Sequence, residues 1–129
     1  MAEVPMFTTT PKIGIANINT ANGNRDGTGS ITSVFASSST KATRLEYITI
    51  AATGVTTAGM IRLFIHDGSV SRLLGEVKVT AVPTPSATEP TFKATWVPFG
   101  ICVLPVNYSI RASTHNAESF NLIGFGGEF

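Results

Sequence analysis

His66 and Asp67 stand side by side in the stretch RLFIHDGSVSRLLGEVKV, Arg62–Val79. Catalysis by such a pair needs a nucleophile or a metal for the imidazole to act on, with the carboxylate orienting the ring through its other nitrogen. Neighbours on a strand point to opposite faces, and no G-x-S-x-G or H-E-x-x-H pattern accompanies the pair. Asp67-Gly68 suits a turn instead, because Asp bonds nearby backbone and Gly takes positive φ. The pair is therefore expected at the bend of a hairpin. His115-Asn116-Ala117-Glu118 sets a His three residues before a Glu, but two ligands do not make a zinc site. With two histidines and one cysteine in the chain, a complete site would need carboxylates from distant loops, so a solvated loop is expected. NGNRDGTG, residues 22–29, has one Asp and an Arg in its midst, too few acids for calcium, and is expected to be a flexible surface loop.

Trp96, Tyr47 and Tyr108 are the residues from which an all-β protein would build a sugar-stacking platform. All three lie within alternating runs, where an aromatic is more often core or interface. No Gly-rich phosphate loop opens a helix, and no carboxylates pair at a spacing that suggests glycoside hydrolysis. Cys102, alone in ICVL, can form no internal disulfide and is expected as a buried thiol. No catalytic residue, metal site or cofactor is expected, and the chain reads as non-enzymatic.

The elements that would position these residues are strands. Alternation with turn residues between runs dominates the chain, and helical periodicity is nearly absent. The runs are Lys12 to Ile18 (with Ile13, Ile15 and an out-of-phase Ile18), Ile31 to Ala36, Arg44 to Ala52, Met60 to His66, Arg72 to Val82, Phe92 to Val97, Phe99 to Leu104, Tyr108 to Ser113 and Ser119 to Phe125. In the third, Leu45, Tyr47 and Thr49 face one way and Glu46, Ile48 and Ile50 the other, so both faces are expected to be covered. In the fourth, Ile61, Leu63 and Ile65 oppose Met60, Arg62, Phe64 and His66. About eight to nine short strands exceed what one small open sheet holds. The fold class expected is all-β, a jelly roll or related antiparallel β-sandwich. An extended N-terminal arm, residues 1–12, precedes a single β-sandwich domain, 13–129.

Composition narrows the partners. The 129-residue chain has nine basic and eight acidic residues, net charge +1, and no basic cluster, so a nucleic-acid partner is not expected. No window approaches the ~20 apolar residues of a membrane span, and no secretory signal is expected from MAEVPMFTTTPK. Charged residues are only 13% of the chain, so much of the surface must be uncharged, which suits packing against repeated copies. The arm, extended by two prolines, carries Val4, Met6 and Phe7 and is expected to dock on a neighbour.

The segments IRLFIHDGSVSRLLGEVKV, FGICVLPVNYSIRAST and AESFNLIGFGGEF, from Ile61 to the C-terminus, resemble small tailed-phage and prophage virion proteins of the head-decoration, or capsid-cement, type. The resemblance covers somewhat over half of the chain. It implies a jelly roll or related sandwich that trimerises on the outer capsid surface and bridges subunits of the major capsid protein. The implied partners are therefore the major capsid protein and the chain itself, as a homotrimer on the virion, after assembly in the bacterial host cytoplasm. Val4, Met6 and Phe7, with Arg25 and Asp26 in the polar loop, are the expected contact residues. The alternative is a phage fibre or carbohydrate-binding β-sandwich module.

Overall fold

The computed structural model describes residues 8–98, 100 and 102–129. Short alternating runs punctuated by Gly, Pro and Ser/Thr favour strands over helices. Among the described residues the strands are β1 (Thr10–Ile18), β2 (Thr32–Ala36), β3 (Thr43–Ala52), β4 (Gly59–His66), β5 (Ser71–Val79), β6 (Lys93–Trp96), β7 (Cys102–Leu104), β8 (Ser109–Thr114) and β9 (Phe120–Glu128). They form two antiparallel sheets. Sheet A runs β1-β9-β3-β6, with β7 also pairing β3; sheet B runs β2-β8-β4-β5. The pairings are nested, β4 with β5, β3 with β6, β2 with β8 and β1 with β9, as in a ribbon rolled across two layers. That nesting is the order of a jelly roll.

The core lies between the layers. Sheet A contributes Ile18, Leu45, Ile48, Ile50, Phe120 and Leu122, and sheet B contributes Phe35, Ile61, Leu63, Ile110 and Ala112. Each fully buried aliphatic or aromatic side chain contributes about 1.5–3 kcal/mol. Ile61 and Leu63 lie in this core with Ile65 packed against it, as alternation requires.

Three expectations need correction. The third run was expected to be covered on both faces in strict alternation. A β-bulge between Leu45 and Tyr47 instead lets Leu45 share the core side with Ile48 and Ile50, and leaves Tyr47 exposed on the other. Nor is the 22–29 segment free. It belongs to a strap that crosses the outer face of sheet B: Ala21 bridges Thr114 of β8, the Asn22 carbonyl accepts from Arg62 Nη1 of β4 at 3.1 Å, and Arg25 reaches Glu76 of β5. Asn22, itself buried, ties the strap by donating from Nδ2 to the carbonyls of Thr28 and Ser30. Gly27, at φ 87°, packs so closely that a Cβ would lie 2.1 Å from the Ser71 carbonyl oxygen. The N–H groups of Asn22, Asn24 and Thr28 and the carbonyls of Asn22, Thr28 and Ser30 are paired within the protein, while most of the segment stays at the surface as expected.

The third correction concerns Cys102, which is half-buried rather than fully so, although burial still raises its thiol pKa. The expected arm residues Val4, Met6 and Phe7, and Phe99 and Ile101 of the seventh run, lie outside the described residues.

Candidate functional site

The hairpin joining β4 to β5 takes up the His66-Asp67 pair. Asp67 Oδ1 accepts from the backbone N–H of Ser69 at 3.0 Å and of Val70 at 2.9 Å, and Gly68 has φ 103°. Those backbone donors, that of Val70 first, hold the Asp67 carboxyl below its ordinary 3.8. His66 pairs opposite Ser71 and its Nδ1 lies 2.8 Å from the Ser71 hydroxyl, not against Asp67. The histidine and aspartate thus act separately, one across the strands and one around the bend.

His115 does not join Glu118 in a shared site either. Glu118 Oε2 accepts from the Thr57 N–H and hydroxyl, at 2.9 and 2.8 Å. His115 turns to Arg62, whose Nη2 lies 3.3 Å from Nδ1. A guanidinium only donates, so Nδ1 accepts and the ring proton sits on Nε2. Arg62 is 2% exposed. Its Nε donates to Glu76 Oε2 at 3.2 Å, and Arg25 Nε donates to the same oxygen at 3.0 Å. Opposite Arg62 on β8 stands Ser113, whose buried hydroxyl has no hydrogen-bond partner among the described residues. A cleft of about 210 Å³ opens over this cluster, lined by Arg25, Ala58, Gly59, Met60, Arg62 and His115. Strand alternation placed Arg62 on the face opposite Ile61 and Leu63; only the strap explains why it is buried there.

Of the expected contact residues, Arg25 therefore spans the strap and Glu76, while Asp26 folds back on the strap, accepting from the Thr28 hydroxyl and N–H. Both line an open depression of about 460 Å³ along the strap with Gly23 and Asn24. The Thr28 hydroxyl and N–H lower the Asp26 carboxyl from its ordinary value.

The aromatic platform does not assemble. Trp96 pairs opposite the core residue Ile48 and packs inward, close to Gly75 of sheet B. Tyr108 is packed against the core, and Tyr47 lies on the outside of sheet A. Tyr47 stacks instead on Phe125, ring centroids 5.0 Å apart.

That stack belongs to an exposed apolar surface on sheet A. Cross-strand partners share a face, so the registers define rows on the outer side of sheet A. One is Ile13–Phe125–Tyr47, the next Ile15–Ile123–Thr49–Thr95, and the third Asn17–Asn121–Ala51–Lys93. Ile15 is 74% exposed and Ile13 58%; Val97, just past β6, is 65% exposed. Among the described residues the charges on this face stand at the borders, at Lys93 and in the Arg44–Glu46 ion pair, where Arg44 lies opposite Val103. Isoleucines of β1 would be assigned to a core by their alternation. The close crossing of β2 reverses this, because a Cβ on Gly14 would lie 1.9 Å from the Val34 carbonyl oxygen. Only the small side of β1, Gly14 and Ala16, fits beneath that crossing.

Among the described residues no three of His, Cys, Asp and Glu gather where a metal could bind, and no helix is long and apolar enough to cross a membrane. No protein-family model matches the chain, and no curated protein matches it significantly.

Proposed function

We propose that this protein is a non-enzymatic assembly module, a decoration or cement protein of a tailed-phage head that trimerises and bridges subunits of the major capsid protein. The supporting observation is the exposed outer face of sheet A, with Ile13, Ile15, Tyr47 and Phe125 at its centre. Isolated exposed apolar side chains need no explanation, but a contiguous set framed by polar residues marks an interaction surface. Its occupant in this proposal is a second copy of the same chain. An identical face brings no central charge to be desolvated, and its Asn17 and Asn121 amides supply paired donors and acceptors at the rim. In a closed trimer each subunit's stripe is covered by a neighbouring copy around the axis, through a heterologous contact, and three attached subunits give avidity on a repeating shell. Val4, Met6 and Phe7 are proposed to extend the contact to the neighbouring capsid subunits.

The experiment is co-sedimentation with phage heads lacking decoration. The unaltered chain should pellet with the heads at a fixed stoichiometry, and Ile15→Lys should remove that binding while keeping the β-rich circular dichroism spectrum. Equal binding by Ile15→Lys would overturn the role of this face, and no binding by the unaltered chain would overturn decoration itself. A glycan array serves the fibre or carbohydrate reading, for which the exposed Tyr47–Phe125 pair is a stacking surface among the described residues.

A further inference from the structure

We infer that the cleft beneath the strap binds a carboxylate side chain from an acidic segment of a partner protein. This surface lies on sheet B, on the opposite side of the sandwich from the apolar face of sheet A, and stands whether or not that face pairs with a second copy. Two guanidiniums, Arg25 and Arg62, converge on one oxygen of one carboxylate, Glu76. Two guanidinium charges against one carboxylate leave one positive charge over. Arg62 uses Nε and one bond from each terminal nitrogen, which leaves it two N–H groups; Arg25 has four terminal N–H groups beyond its Nε bond. The Ser113 hydroxyl, buried and without a partner among the described residues, stands on the same side of the sheet directly across from Arg62.

The ligand class follows from charge and size. A single surplus positive charge matches the monoanion of Asp or Glu, whereas a phosphate dianion would remain half uncompensated. The cleft, about 210 Å³, has the volume of roughly seven waters, enough for one acidic side chain and its hydration. Its other walls are Ala58, Gly59 and Met60, which offer no competing charge. Arg25 is more exposed than Arg62, so the ligand meets an accessible guanidinium before a buried one.

The test uses the full chain labelled with 15N and three probes: a blocked tetraglutamate peptide, the matching tetraglutamine peptide and inorganic phosphate. Tetraglutamate should shift the His115 ring and Arg25 Nε resonances saturably, and tetraglutamine should not. Arg25→Ala should weaken the response about tenfold, the loss of one charge-assisted contact. Ala58→Glu, which puts a carboxylate into the cleft from within, should remove it; an unchanged hairpin spectrum verifies the fold of both variants. No shift at His115, an equal response in either variant, or tighter binding of phosphate than of tetraglutamate would each overturn the assignment. Repeating the titration with Ile15→Lys separates this site from the sheet A face, since the response should persist whatever that variant does to self-association.

Discussion

Arg62 sits 2% exposed in the outer layer of sheet B, and its burial is tolerable because each of its three guanidinium nitrogens has a partner. Replacing it by Leu keeps the volume but strands the Asn22 carbonyl and removes a charge from Glu76. Arg62→Leu should therefore lower stability by about 3 kcal/mol, read as a lower urea midpoint at unchanged slope. Asp67 and Asp26 make stability depend on pH. Both carboxyls are held below their ordinary 3.8 in the folded chain, Asp67 chiefly by the Val70 N–H and Asp26 chiefly by the Thr28 hydroxyl. Groups with depressed folded values stabilise fully above the unfolded value and lose that contribution as pH falls through the folded one. Stability should thus be flat with respect to these two groups above pH 5 or so and fall below 3.8, and the fall should be smaller in Asp67→Asn. Urea titrations at a series of pH values measure it.

At the scale of elements, the close crossing of β1 and β2 is one of the tightest approaches among the described residues. A methyl on Gly14 would collide with the Val34 carbonyl, which is backbone and cannot rotate away. Gly14→Ala should cost roughly 1–3 kcal/mol of overpacking, visible as a lower melting temperature, and should loosen amide protection in β2 more than in β4. All nine strands were legible from alternation and turn residues, and so was the hairpin at Asp67-Gly68, because both signals are local. What stayed hidden depends on long-range approach. The bulge beside Glu46 shifts Leu45 to the core side of Ile48 and Ile50, and nothing in LEYITI announces an extra residue. The strap looked like a free loop because Asn, Gly and Asp favour turns, and those same groups tie it down through Asn22 and Arg25. Of the polar cluster, Arg25 was expected against a partner and not against Glu76, and Arg62, Glu76 and His115 meet only after β4, β5 and β8 pair.

For the whole molecule, the rolled ribbon yields two unlike sides. Sheet A turns outward a stripe of isoleucine and aromatic side chains with charge only at its edges, and sheet B carries a strap over a cluster with one surplus positive charge. The first suits association of like with like and the second a partner of opposite charge. A chain with 13% charged residues has little electrostatic repulsion to keep copies apart once the apolar stripes meet. The central claim is that the sheet A face is an interface between copies, and the molar mass in solution tests it most directly. Light scattering behind a sizing column should give about three times the 13.6 kDa of one chain, falling to one chain for Ile15→Lys. A clean monomer for the unaltered chain across the accessible concentration range would contradict the account.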